Sequence, residues 1–223
     1  MVLIQLRDVS KTFGSGAEAV RAVDHVSLEL AAGESVAIVG PSGSGKSTLL
    51  SMMGLLLPPD LGTVLVGGRN AGAWHDSELC RFRNRTFGYV FQDFALLGEE
   101  TVFENVRLPL LYRRDVARRE HRARVKAAVG RLGVEDKLRT RASKLSGGQQ
   151  QCVALARALV CDQPVVLADE PTGQLDAENR ENVVRVLLGL AAEGRLVVVV
   201  THDLEVAARC DRVVRMHDGR LVG

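Results

Sequence analysis

Hydrophobic and polar positions along this chain of 223 residues fall into two periods. Some short stretches alternate or run continuously apolar, as strands do, and longer ones repeat every three to four residues, as helices do. Residues 2–9 and 26–30 predict strands, the second through Leu28 and Leu30. Residues 165–168 and 196–200 are unbroken apolar runs, the pattern of strands buried on both faces, and residues 36–39 form a shorter one. Residues 63–66 predict a further strand, set between the break Pro58-Pro59-Asp60-Leu61-Gly62 and Gly67-Gly68. Residues 85–91 alternate, with Phe87, Tyr89 and Phe91 on one side, and residues 212–216 and 221–222 predict a closing hairpin. Helical stripes run over residues 48–53, through Val125, Ala128, Val129 and Leu132, through Val153, Ala156, Leu159 and Val160, and through Val183, Val184, Leu187 and Leu190. The fold class expected from these strands and helices is α/β.

Between the run at 36–39 and the first stripe lies Gly40-Pro41-Ser42-Gly43-Ser44-Gly45-Lys46-Ser47-Thr48, which fits G-x-x-x-x-G-K-[ST]. Strand, glycine loop and helix form the context that a phosphate loop requires. Gly40, Gly43 and Gly45 let the backbone curl until successive N–H groups aim at one anion, and the helix N-terminus adds partial positive charge. Lys46 is placed to reach the β- and γ-phosphates of a nucleoside triphosphate, and the Ser47 hydroxyl to ligate Mg²⁺.

Other candidates stand at predicted strand ends. Asp169 and Glu170 close the run 165–168; the first is placed to hold Mg²⁺ and the second to orient or deprotonate an attacking water. His202 follows 196–200 and could reach a γ-phosphate. Gln92 follows 85–91 and offers an amide oxygen to the metal or a water. Phe13 stands out in a polar loop, residues 11–16, because only 4% of residues are aromatic, and its face could stack on a base. Leu145-Ser146-Gly147-Gly148-Gln149 opens another helix, with Ser146 as N-cap, and makes a second helix N-terminus suited to an anion. One nucleotide does not need two such sites about a hundred residues apart. Two copies of the chain could each supply one.

Composition narrows the setting. The net charge of +2 implies no polyanion, so no nucleic acid partner is expected. No apolar run approaches the ~20 residues of a membrane helix, and the first residues show no signal-peptide pattern. Cys80, Cys152, Cys161 and Cys210 form no C-x-x-C pair and read as reduced thiols. Arg113, Arg114, Arg118, Arg119, Arg122 and Arg124 suggest a solvated helix face over 116–132, with a phosphate-rich partner such as lipid headgroups as the alternative.

Taken in order, Gly40 to Thr48, Gln92, Leu145 to Gln149, Val165 to Glu170, Leu175-Asp176 and His202 resemble the ATP-binding subunit of an ABC transporter along essentially the whole chain. Phe91-Gln92, residues 104–110 and Asp169-Glu170-Pro171-Thr172-Gly173 resemble its branch of macrolide exporters, lipoprotein-release complexes, antimicrobial-peptide exporters and the cell-division pair. The resemblance implies a P-loop NTPase core with a mainly parallel sheet over residues 1–92 and 162–223. It adds an N-terminal antiparallel β subdomain and an inserted α-helical subdomain over 93–161 that carries the signature. It further implies two cassettes closing head to tail on two ATP molecules, with the phosphate loop of one facing Ser146, Gly147, Gly148 and Gln149 of the other. Phe13 would stack the adenine, and Ser47, Gln92 and Asp169 would serve Mg²⁺. Lys46, Glu170 and His202 would act at the γ-phosphate, and Asp176 would signal across the dimer. Closure would move a membrane permease on a separate chain, docked near residues 93–115 at the cytoplasmic face. A soluble ATPase of the same fold and a weakly hydrolysing, ATP-gated regulator are the alternatives. Two positions depart from the branch: Cys152 stands where it usually has Arg, which predicts slow turnover, and Gln174 replaces Asn or Ala.

Overall fold

A computed structural model describes residues 1–173 and 175–222, so Gln174 lies outside the described residues. Six strands form the central sheet: β3 (Ser35–Val39), β6 (Phe87–Val90), β7 (Val165–Asp169), β8 (Leu196–Val200), β9 (Arg212–His217) and β10 (Arg220–Val222). Their order is β10-β9-β3-β8-β7-β6, and every pairing is parallel except the β9–β10 hairpin. β1 (Val2–Phe13), β2 (Val20–Ala31), β4 (Leu61–Val66) and β5 (Arg69–Asn70) form a separate antiparallel sheet in the order β2-β1-β4-β5.

The two faces of the central sheet can be read from the strands' period of two. Val165 and Leu167 of β7, with Leu196, Val198 and Val200 of β8, face α1 (Lys46–Met53) and the antiparallel sheet, meeting Leu49, Met52, Met53, Ile4 and Leu6. Val166, Ala168, Val197 and Val199 face the other way, toward α5 (Gly147–Leu159) and α6 (Ala177–Ala192), among Val153, Leu155, Val183 and Leu187. A parallel sheet cannot leave either face wet, and the continuous valine runs follow from that.

Between β6 and β7 the chain forms α3 (Val102–Arg107), α4 (Arg118–Arg131) and α5, joined by short 3₁₀ turns. Val102, Val106, Val125, Val129 and Leu132 share one apolar cluster with α5 and the adjoining face of the sheet. α7 (Leu204–Ala208) follows β8 and covers Ala37 and Val39 through Ala207.

The structure departs from the sequence expectation in several places. β1 continues through residues 10–13, so Phe13 is a strand-end residue paired with Val20 and not part of a loop. Residues 85 and 86 end a helix, α2 (Asp76–Thr86), and β6 begins only at Phe87. Acidic Asp76 and Glu78 in its first turn and Arg83 and Arg85 in its last complement the helix dipole. Arg113 and Arg114 precede α4, and the basic face is partly neutralised: Arg113 bonds Asp115, and Arg124 pairs with Glu120 and Asp162.

Candidate nucleotide site

Parallel strands end along one edge of their sheet, and here that edge collects the candidate residues. The phosphate loop leaves β3, Gln92 lies just beyond β6, Asp169 ends β7, and His202 follows β8. They enclose a cleft of about 480 Å³ lined by Ala22, Ser42, Gly43, Gly45, Lys46, Ser47, Thr48, Gln92, Asp169, Glu170, Val200 and His202.

The loop is held from behind by backbone. Ser44 N–H donates to Pro41 O at 3.2 Å, and Gly219 N–H donates to Ser44 O at 3.1 Å. Gly45, the N-cap of α1, is left-handed with φ 97°, and a Cβ there would overlap the carbonyl oxygen of Ala22. Only glycine satisfies both constraints. Lys46 is largely buried, and its Nζ donates to the carbonyls of Gly40 at 2.9 Å and Pro41 at 2.7 Å.

The carboxylates face the loop. Burial pushes the Asp169 pKa up and the Glu170 charge adds to this, while the Ser47 hydroxyl and the Lys46 ammonium pull it down. Asp169 Oδ1 and Glu170 Oε2 are buried and have no hydrogen-bond partner among the described residues. Glu170 is left-handed, with φ 47°, and its N–H donates to Val200 O at 2.9 Å. Such backbone costs roughly 1–2 kcal/mol in a non-glycine residue and persists where its surroundings dictate it. The turn swings the side chain to His202, whose Nδ1 lies 2.9 Å from Glu170 Oε1. Buried, unpaired carboxylate oxygens beside a serine hydroxyl suit a hard divalent cation such as Mg²⁺.

Comparison with known proteins fixes the family. The ABC transporter family model matches residues 23–173. The chain belongs to that family. It is 47% identical over 221 residues to the macrolide export ATP-binding/permease protein MacB of Burkholderia pseudomallei strain 1710b. That match takes in 99% of this chain and 34% of the relative, so the chain spans about a third of the length of the curated relatives it matches. Among solved structures, the dimeric ABC transporter cassette MJ0796 is 40% identical, with a TM-score of 0.94 over 99% of this chain and 97% of the other. A dimeric, post-hydrolysis form of MJ0796 bound to ADP and phosphate is 39% identical, with the same TM-score of 0.94 and the same coverage of 99% and 97%.

This ABC cassette gathers Lys46, Ser47, Thr48, Gln92, Asp169, Glu170 and His202 in one cleft. Phe13, at the end of β1, is 46% exposed and does not line it. Ser146, Gly147, Gly148, Gln149 and Asp176 also stand outside the lining. Ser146 and Gln149 instead form a capping box on α5: Gln149 N–H donates to Ser146 Oγ at 3.3 Å, and Ser146 N–H donates to Gln149 Oε1 at 3.2 Å. Asp176 caps α6 by accepting from Asn179 N–H at 2.8 Å. Sequence reading missed Ala22 and Met216, whose backbone oxygens pack where Cβ atoms at Gly45 and Gly40 would stand. No local pattern marks either residue, since any side chain can lend a carbonyl.

Proposed function

We propose that this cassette binds and hydrolyses ATP with Mg²⁺, in a head-to-tail pair with a second copy, and so drives a membrane permease from the cytoplasmic face. The observation that carries the reading is the convergence of Lys46, Asp169, Glu170 and His202 on the phosphate loop. Lys46 exchanges its contacts with Gly40 and Pro41 for the β- and γ-phosphates. Ser47, Gln92 and Asp169 hold Mg²⁺, which neutralises phosphate charge when bound. Glu170 orients the attacking water and accepts its proton, and His202, steadied by Glu170, donates to the γ-phosphate.

The pairing is supported by the signature. Ser146, Gly147 and Gly148 open α5 away from the chain's own cleft, leaving a helix N-terminus for a neighbour's nucleotide. The similar cassette MJ0796 is a dimer. Phe13, half exposed at the end of β1, is free to stack on an adenine, and Asp176 stands at the start of α6 to meet a partner. An apolar groove of about 300 Å³, lined by Phe91, Leu108, Pro109 and Tyr112 among others, is suited to a permease segment. Tyr112 is 72% exposed there. The MacB relatives are named as ATP-binding/permease proteins. No helix among the described residues is long and apolar enough to cross a membrane. On this reading, residues 93–161 move as a helical subdomain against the core.

Glu170→Gln tests the mechanism. Removing the base is expected to cut ATP turnover by roughly 10²-fold or more while leaving ATP bound. Light scattering should then find a stable dimer with ATP and a monomer without it. A variant that stays monomeric at saturating ATP rules out the sandwich, and a wild-type protein that releases no phosphate rules out the ATPase.

A further inference from the structure

Arg157 sits in the last turn of α5 and makes no ion pair among the described residues. Its guanidinium donates instead to two successive backbone carbonyls, from Nη1 to Ala95 O at 2.5 Å and from Nη2 to Phe94 O at 2.7 Å. Burial works against its charge, with Asp93 working for it. A partly buried cation spent on two carbonyls is costly unless their placement matters.

Those carbonyls belong to the second and third residues after Gln92. Phe94 and Ala95 are both left-handed, with φ of 61° and 46°. Phe94 N–H donates to Phe91 O at 3.1 Å and Ala95 N–H to Asp93 O at 2.7 Å, so the chain doubles back immediately after Gln92. Two consecutive left-handed non-glycine residues are not a resting state for a free loop. Farther on, fully buried Asn105 accepts from Leu97 N–H at 2.8 Å and returns a bond to Leu97 O at 3.0 Å. The loop is thus anchored to α5 at one end and α3 at the other.

The helix that carries Arg157 begins at the signature. Eleven helical steps separate Ser146 from Arg157, about 16 Å of rigid rod. We infer that Arg157 is a positioning residue that sets Gln92 in the nucleotide cleft through the Phe94 and Ala95 carbonyls and ties that setting to the helix bearing Ser146, Gly147 and Gly148. The inference rests on the nucleotide site proposed above. Arginine suits the task because its donors lie in one plane and can meet adjacent carbonyls together, whereas a lysine ammonium is a point donor. Arg157 and Ala95 also line the apolar groove, so whatever occupies the groove bears on this clamp.

The test compares wild type with Arg157→Lys, Arg157→Gln, Gln92→Ala and the double variant Arg157→Lys/Gln92→Ala. ATP affinity without divalent cation is read with a fluorescent ATP analogue. Mn²⁺, as the probe metal, is titrated into the protein–ATP complex by electron paramagnetic resonance. Amide hydrogen exchange follows residues 93–97 and 146–149. The metal-free ATP affinity should stay unchanged in Arg157→Lys, while Mn²⁺ affinity falls about five- to tenfold. Gln92→Ala should weaken Mn²⁺ similarly, and the double variant no further, since one residue acts through the other. Exchange should quicken in both segments. A lowered melting temperature with unchanged Mn²⁺ affinity, or fully additive losses, would assign Arg157 a merely structural role and overturn the inference. Should Arg157→Gln not fold, Arg157→Lys retains the charge and decides the matter. If wild type binds no ATP, the nucleotide reading fails on its own. Exchange then judges the coupling: faster exchange in both segments supports it, and faster exchange at 93–97 alone overturns it.

Discussion

Burial raises the Asp169 pKa from its ordinary value of 3.8, and the Ser47 hydroxyl and Lys46 charge only partly offset this. As pH climbs past that value, the unfolded chain gives up its proton before the folded one. The folded state then holds more protons, and stability falls through the window up to the raised pKa. Ionised Asp169 therefore destabilises the empty protein at neutral pH. Asp169→Asn is expected to raise the melting temperature of nucleotide-free protein at pH 7 by about 2–4 °C, the equivalent of about 1 kcal/mol, while abolishing Mn²⁺ binding. The gain should shrink as the pH is lowered toward 4. An Asn variant that melts below wild type at pH 7 would show that the carboxylate stabilises the fold. Cys152 makes a different case. It is 1% exposed, and burial, with the Asp176 charge adding to it, pushes its thiol up to about 11. It is a neutral group where the Asp176 charge is felt. Cys152→Arg would place a cation within that influence and steady the start of α6. ATP turnover is expected to rise roughly fivefold, equivalent to a barrier lower by about 1 kcal/mol. Equal or lower turnover would refute this.

At the level of elements, α5 and β6 meet more closely than side chains allow. A Cβ on Gly88 would overlap the backbone carbonyl of Ala158, and neither backbone can yield without moving the helix or the strand. Gly88→Ala should cost about 1–3 kcal/mol, lowering the melting temperature by roughly 3–10 °C in a thermal scan; an unchanged midpoint would mean that the contact is slack. Which elements were legible follows from their surroundings. α6 buries one stripe and α5 is covered on nearly every side, yet both carry apolar residues at helical spacing, so Val153, Ala156, Val183 and Leu187 announced them. α2 has no fully buried residue, only Leu79 and Phe82 resting on the core, so its stripe is too thin to read. The later half of β1 was hidden differently. Its register shifts between Leu6 and Val9, and again between Val9 and Lys11, and each shift breaks the alternation on which strand reading depends.

Across the whole molecule, the candidate site was legible where a residue presents its own side chain to the cleft from a strand end or from the glycine loop, as Gln92, Asp169, Glu170, His202 and Lys46 do. It was illegible where the work is done by backbone or through an intermediary. Ala22 and Met216 act by their carbonyls, and Arg157 acts on a loop 62 residues earlier in the chain. The sheet order likewise brings β3 between β8 and β9, uniting strands from opposite ends of the sequence, which no local pattern reveals. The arrangement of Lys46 has one more consequence. Its ammonium rests on the carbonyls of Gly40 and Pro41. On the proposed reading, an incoming phosphate therefore has to displace two hydrogen bonds that this cation already makes. Phosphate recognition at this lysine is then an exchange of partners, and the difference between backbone and phosphate oxygens as acceptors helps decide how tightly a nucleotide is held.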